Sequence, residues 1–223
     1  MMTRKNLWYL LSGLSFFFLF LLFSYLVQKN LFTQIDFDTT VRLQDTISRR
    51  FDPIFSWLSI IGNFEVLTIV LVVLLVVLRK ILAGIMLFGS FVLFHIIEIL
   101  GKTFIHHPPP PQFLLRTEHP FDFPQFHVRS EFAYPSGHSG RTIFISVILL
   151  YIIWQSKRLS RTFKILITLG VGGFNFFMLL SRPYLGEHWL SDVIGGTLLA
   201  LAMSLLGLSF VLYKPLRIIK RNT

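Results

Sequence analysis

The sequence has 223 residues, of which 53% are hydrophobic and only 14% are charged, and its mean hydropathy is +0.66. A soluble domain of this length carries about a quarter charged residues, so the composition excludes an ordinary soluble enzyme, and the high apolar content excludes a disordered chain. The absence of cysteine excludes a disulfide scaffold. We therefore expect a single integral membrane domain over residues 1–223.

Six apolar runs are long enough to cross the hydrocarbon core, which takes roughly 20 residues of α-helix. Because backbone polar groups in lipid must be paired within their own segment, we expect these runs to be helices. Arg4 and Lys5 before the first run would also suit a signal peptide, but the run is too long and no small-residue cleavage site follows it. The predicted transmembrane helices cover residues 7–27, 57–78, 81–101, 136–155, 163–180 and 188–213.

Two segments between the predicted spans differ from the rest. Residues 36–52 mix charges with an apolar stripe of Phe37, Val41, Leu43, Ile47 and Phe51, interrupted by Gln44, which predicts a short amphipathic helix on the membrane surface. Residues 102–135 form a long loop rich in Pro, His and Phe, and such loops are usually functional or disordered. The fold predicted is all-α: a polytopic membrane protein with six transmembrane helices, a surface helix and a long outer catalytic loop.

The net charge of +10 follows the positive-inside rule. Both termini and the turns after the second and fourth spans are basic and carry no acidic residue, so we expect cytoplasmic termini in a multi-pass protein of the cell membrane. The segments 28–56, 102–135 and 181–187 then face the opposite side. Since topology accounts for the charge, we expect the lipid bilayer as partner and no nucleic acid. The basic residues assigned inside are Arg4, Lys5, Arg79, Lys80, Lys157, Arg158, Arg161, Lys164, Lys214, Arg217, Lys220 and Arg221.

Polar residues beside membrane spans are costly and therefore informative, and here they gather at three places on the predicted outer side. These are Lys102 after the third span, the run 135–138 that opens the fourth, and the run 181–192 that joins the fifth to the sixth. Three polar groups on one side of the membrane indicate one site.

The third run contains a histidine and an aspartate at i and i+4, which lie on one helix face. If Asp192 accepts a hydrogen bond from Nδ1 of His188, Nε2 is left as a nucleophile or base. His138 can act as a second imidazole across the site. The helix start at Ser136-Gly137 offers backbone N–H groups to an anion, and Lys102 and Arg182 add positive charge. Together these groups predict a phosphoryl-transfer site without a metal or other cofactor.

These residues resemble the tripartite signature of the type 2 phosphatidic acid phosphatase superfamily, over about residues 36–205. The second motif, Pro135 to His138, and the third, Ser181-Arg182 to His188 and Asp192, match at every position. The first motif departs from the family pattern of Lys, six residues and Arg-Pro, because Lys102 is followed after six residues by Pro109-Pro110. The arginine of the first motif is missing.

The resemblance implies a mechanism in which His188 attacks phosphorus to form a phosphohistidine. Asp192 would orient its ring, and His138 would protonate the departing oxygen. The equatorial phosphate oxygens would be bound by Lys102, Arg182, Ser136 and the Gly137 amide. As a replacement for the missing arginine we favour Arg141, which follows His138 by three residues on the same helix face; weaker candidates are His106, His107, Arg116 and Arg129.

The expected substrate is a membrane lipid phosphate or diphosphate, bound on the extracytoplasmic side. The resemblance favours undecaprenyl diphosphate first, with phosphatidylglycerophosphate and phosphatidate next. Two other interpretations stay open: a lipid phosphotransferase, which would pass the phosphoryl group to an acceptor other than water, and a catalytically weakened lipid-binding protein, which the missing arginine favours.

Overall fold

The computed structural model describes residues 4–78, 81–117 and 132–211. Within these ranges the chain is helical and contains no strand. Its helices are α1 (Arg4–Gln28), α2 (Thr33–Thr46), α3 (Asp52–Ile61), α4 (Phe64–Leu78), α5 (Ile81–Phe104), α6 (Gly137–Gln155), α7 (Arg161–Tyr184) and α8 (Leu190–Val211), with 3₁₀ turns at Arg49–Phe51 and Gln112–Leu114. Three sets of residues lie outside the described ranges: the basic pair Arg79-Lys80, residues 118–131 of the predicted outer loop with Arg129, and the end of the sixth predicted span with the basic residues after it.

Five helices, α1 and α5 to α8, are long and apolar enough to cross a membrane. The predicted span 57–78 is not one continuous helix, since α3 and α4 meet at an angle of 54° and form a sixth span only if the bent pair is counted as one. Gly62 ends α3, and its carbonyl accepts a hydrogen bond from Nε of Arg141 at 3.3 Å. Irregular backbone is tolerated at membrane depth when it is covered by protein, so the break can supply polar groups to the interior.

Helix α8 forms the centre of the bundle, where it packs against α1, α5 and α6. Small residues such as Ala200 and Ala202 let its neighbours approach, and Phe91, Phe94 and Phe144 fill the adjoining core. Because it is enclosed on several sides, α8 holds the residues at its first turn in a fixed position.

Helix α2 begins three residues before the predicted surface helix and ends six residues before its predicted end. Of the predicted apolar stripe, Leu43, Ile47 and Phe51 pack against a small cluster around Tyr184, whereas Phe37 stays exposed. The fully buried side chains of α2 are instead polar, Asp36 and Thr40. The apolar periodicity of the sequence did not predict this buried polar face of α2, because such a pattern assigns every polar residue to the side exposed to water.

Candidate active site

The third motif spans the end of α7 and the start of α8. Arg182 lies in the last turn of α7, and a tight turn through Gly186 leads to His188. Gly186 has φ of +68°, and a Cβ atom there would come within 2.3 Å of the Leu114 carbonyl oxygen, so the turn requires glycine. The turn places His188 two residues before α8 and within reach of Asp192 in its first turn.

Asp192 orients His188 as the i, i+4 spacing predicts. Nδ1 of His188 donates to Oδ2 of Asp192 at 3.3 Å, and the backbone N–H of Trp189 donates to the same oxygen at 2.9 Å. Among the described residues, no side chain is hydrogen-bonded to Nε2 of His188. A neutral imidazole held in this way presents the lone pair of Nε2 to a ligand.

His138 faces His188 from the second residue of α6, and the two ring centroids are 6.4 Å apart. Nε2 of His138 donates to Oδ1 of Asn63 at 3.0 Å, in the break between α3 and α4. The other amide atom of Asn63, Nδ2, is buried without a hydrogen-bond partner in the described part of the chain. Sequence reasoning did not predict Asn63 in the site; the only signal was a lone amide after a glycine within an apolar run.

The guanidinium of Arg182 is completely buried and already bound to protein groups. Nη1 contacts the carboxylate of Glu187 and donates to Oγ of Ser59 at 3.0 Å. Glu187 also accepts from Oγ1 of Thr117 at 2.7 Å. Burial would raise the pKa of Glu187, but the positive charge of Arg182 and these hydrogen bonds lower it. Glu187 is therefore an ionised carboxylate. It forms an ion pair with Arg182, the cation expected from the sequence to bind phosphate.

Lys102 and Arg141 share a second buried carboxylate, that of Glu98 in α5. Nζ of Lys102 lies 3.0 Å from Oε1, and Nη1 of Arg141 lies 3.5 Å from Oε2. The structure places Lys102 in the last turn of α5 and not in the loop, at the i+4 distance from Glu98 that favours an ion pair. His95 donates to Oε2 of the same carboxylate at 3.0 Å.

The start of α6 lies against this carboxylate. A Cβ atom on Gly137 would lie 2.1 Å from Oε1 of Glu98 and 2.6 Å from Nη1 of Arg141, so a larger residue would displace the ends of these two ion-paired side chains. Ser136 is fully buried and caps the helix: its Oγ accepts from the N–H of Ser139, and its own N–H donates to the Asp192 carbonyl at 2.9 Å. These contacts join the second motif to the first and third.

The structure thus brings the predicted groups into one region. Lys102, Arg141 and Arg182 are close enough to His138 for their charges to act on it, and the ring of His188 lies 6.4 Å from that of His138. Of the weaker candidates for the missing charge, Arg116 stacks over the ring of Tyr184, and His106 is exposed and pairs with Gln28 outside the site.

His107, another weaker candidate, has a place that sequence reasoning did not predict. It is buried, and its Nδ1 donates to Oδ1 of Asp192 at 2.8 Å. Its Nε2 lies 3.6 Å from Oδ2 of Asp36 in α2. The first-motif segment therefore contacts the third motif through a histidine.

Comparisons with known proteins identify the family and the fold. The chain is 29% identical over 82 residues to phosphatidylglycerophosphatase B of Bacillus subtilis (strain 168), an alignment that covers 37% of this chain and 40% of that relative. Its fold is similar to the crystal structure of a transmembrane PAP2-type phosphatidylglycerolphosphate phosphatase from Bacillus subtilis, with a TM-score of 0.71 and 21% identity over 89% of this chain and 95% of the other. The family profile of the PAP2 superfamily matches residues 80–215, which contain all three motifs. The chain therefore belongs to the PAP2 superfamily, the type 2 phosphatidic acid phosphatases that its motifs resemble.

Proposed function

We propose that the protein is a membrane lipid phosphatase that works through a phosphohistidine on His188, without a metal ion. The observation that supports this most directly is the pair of imidazoles: His188 is oriented by Asp192 through Nδ1, and its ring lies 6.4 Å from that of His138. A phosphorus atom between the two rings can be attacked from one side while its leaving oxygen is protonated from the other.

In the first step, Nε2 of His188 forms a bond to phosphorus, and the bond from phosphorus to the lipid oxygen breaks. Protonated His138 gives its proton to that oxygen, and the Asp192 carboxylate stabilises the positive charge that the ring of His188 acquires. In the second step, His138 takes a proton from water, whose oxygen attacks the phosphohistidine and releases phosphate and neutral His188.

The equatorial oxygens of the phosphoryl group gather negative charge, and their stabilisation is usually the largest catalytic contribution. We assign Arg182, Lys102 and the Gly137 amide to this role, with Ser136 at the helix cap. Arg141 supplies the charge of the missing arginine, because its buried guanidinium shares the Glu98 carboxylate with Lys102. This guanidinium also lies beside Gly137, at the start of the same helix α6. In the structure, Glu98 and Glu187 neutralise these cations.

The topology proposed for this function has six spans, with α3 and α4 counted as one bent span and α2 lying at the outer membrane surface. The sequences of both termini contain basic and no acidic residues, and by the positive-inside rule this favours cytoplasmic termini. The site then opens on the extracytoplasmic side, where it can reach a headgroup while the lipid tail stays in the bilayer.

We propose phosphatidylglycerophosphate as the first substrate to test, because the curated relative is named for it. Undecaprenyl diphosphate, which the family resemblance favoured, and phosphatidate are the alternatives. Each presents a terminal phosphoryl group on a lipid, so the chemistry at His188 is the same. A panel of the three lipids in matched micelles, compared by kcat/KM on the purified protein, ranks them.

The activity itself is tested by phosphate release from a short-chain lipid phosphate in the presence of EDTA. We expect release by the wild type and by the exposed-site control His106→Ala, and none by His188→Ala. Acid-stable trapping is not suitable, because phosphohistidine is acid-labile, so the intermediate is sought by alkaline quench with ³²P-labelled substrate. Equal release by the wild type and His188→Ala contradicts the proposed mechanism, and loss of activity in EDTA contradicts its independence of metal.

A phosphotransferase would use the same first step and differ only in the second. Adding an alcohol acceptor and analysing the products separates the two functions. We expect free phosphate as the main product, and a phosphorylated acceptor at the expense of phosphate identifies a transferase.

A further inference from the structure

His107 joins two buried carboxylates from different helices. Its Nδ1 lies 2.8 Å from Oδ1 of Asp192 in α8, and its Nε2 lies 3.6 Å from Oδ2 of Asp36 in α2. All three side chains are buried, with exposed fractions of 5%, 0% and 1% for His107, Asp192 and Asp36. A single imidazole therefore lies between two carboxylates away from solvent.

Asp192 therefore serves two histidines, one on each oxygen. Its Oδ1 accepts from His107, and its Oδ2 accepts from His188 at 3.3 Å and from the Trp189 amide at 2.9 Å. Because both oxygens are bound, the carboxylate plane is fixed, and so is the direction in which it holds His188. His107 cannot be the nucleophile itself, since its second nitrogen faces Asp36.

The segment that carries His107 is anchored at two further points, one in the third motif and one just before the second. The carbonyl of Pro108 accepts from Nε1 of Trp189 at 2.8 Å, and the carbonyl of His107 accepts from the N–H of Ala133 at 2.9 Å. Asp36 is held in turn by the backbone N–H and the hydroxyl of Ser191, at 2.8 and 2.6 Å. The segment after Lys102 thus places a histidine in contact with Asp192, although the arginine of the first motif is missing from it.

We propose that His107 is a positioning residue of this site: its imidazolium bridges Asp36 and Asp192, orients the carboxylate that holds His188 and compensates its negative charge. The proposal rests on the proposed function of His188 as the nucleophile. Because both oxygens of Asp192 are bound and its charge is compensated, the carboxylate holds Nδ1 of His188 as the donor and leaves Nε2 for the phosphoryl group.

The charges around His107 support an imidazolium. Burial lowers the pKa of His107, but the hydrogen bonds and charges of Asp192 and Asp36 outweigh it and raise the pKa to about 9. The ring edge of Tyr134, before α6, also faces His107 at 6.4 Å between centroids, and burial raises the pKa of this phenol, so it adds no negative charge. His188 itself also lies near His138 of α6 and Glu187.

The first test measures protonation directly and needs no activity. ¹⁵N-histidine NMR of the full chain in detergent micelles, assigned with His107→Asn, should show both ring nitrogens of His107 protonated at pH 7. Asp36→Asn should lower the midpoint of this titration by at least about one pH unit. A His107 ring that is neutral at pH 7 in the wild type overturns the proposal.

The second test uses the pH dependence of kcat/KM for a short-chain lipid phosphate. Asparagine at position 107 retains a donor for Asp192 but lacks the charge and the reach to Asp36. We expect kcat/KM of His107→Asn to lie about tenfold below that of the wild type near pH 7, and this ratio to decrease toward pH 10, where His107 of the wild type is itself neutral. The neighbouring control His106→Asn should match the wild type at every pH.

A loss that is equal at every pH indicates a purely structural role and overturns the proposal. If the wild type releases no phosphate from any lipid phosphate, the proposed function fails, and the NMR titration still decides whether His107 is the charged bridge. The two failures are therefore distinguishable.

Discussion

Raising the pH from 6 to 9 is expected to destabilise the folded protein through His107. Its pKa is raised from the ordinary value of 6.5 to about 9 in the folded state, because the carboxylates of Asp192 and Asp36 outweigh the effect of burial. The folded chain therefore binds this proton more tightly than the unfolded chain. The resulting stabilisation is fully present below pH 6.5 and is lost as the pH rises through 9.

The size of this effect follows from the difference between the two pKa values. One pH unit corresponds to about 1.4 kcal/mol, so the shift to about 9 contributes about 3 kcal/mol to the free energy of unfolding at pH 6. In His107→Asn this contribution is absent. The stability difference between wild type and variant should therefore be largest at pH 6 and decrease by about this amount toward pH 9.

Thermal unfolding in one detergent, followed by circular dichroism at half-unit steps of pH, measures this difference. His106→Asn serves as the control, because the exposed His106 contacts Gln28 and not the buried carboxylates. If the unfolding temperatures of the wild type and of His107→Asn differ by the same amount at every pH from 6 to 9, the charged bridge is refuted. The loss of a hydrogen bond alone gives such a constant difference.

Three further substitutions test other parts of the site. Gly186→Ala places a Cβ on a residue with φ of +68° and against the Leu114 carbonyl, and should lower the free energy of unfolding by about 1–3 kcal/mol in a denaturant titration. Arg182→Lys removes the planar guanidinium that contacts Ser59, Ser181 and Glu187, and should lower kcat roughly 100-fold in a variant that still folds. A kcat equal to that of the wild type contradicts the assignment of Arg182 to the phosphoryl oxygens. Arg141→Ala should lower kcat/KM by more than about threefold. A smaller loss contradicts the proposal that Arg141 replaces the missing arginine.

Much of the fold could be predicted because a bilayer restricts the chain to few choices. Apolar length located α1 and α5 to α8 within a few residues, since lipid forces such runs into helices. The break between α3 and α4 could not be predicted, because Gly62-Asn63 alone does not show whether a continuing apolar run bends. The buried polar face of α2 was missed for a related reason: hydropathy cannot recognise Asp36 as an inward residue until its partners are known.

In the candidate site, too, some contacts could be predicted from the sequence and others could not. The pairing of His188 with Asp192 could be predicted from their i, i+4 spacing, because helical geometry relates residues that are close in sequence. The structure shows the same spacing in the ion pair of Glu98 and Lys102. The contacts of His107 and Asn63 could not be predicted, since each meets its partner across a large separation in the chain.

The sequence by itself determined that this chain belongs in a membrane, which motifs are the candidates for its chemistry, and that the first motif lacks an arginine. Only the tertiary structure decided how those motifs are connected: Glu98 and Glu187 neutralise the cations, Asn63 meets His138 at a break in a helix, and His107 bridges Asp36 to Asp192. The physical reason is that local spacing fixes which face of a helix a residue occupies, whereas the charge balance of a buried site depends on which distant side chains share its small volume.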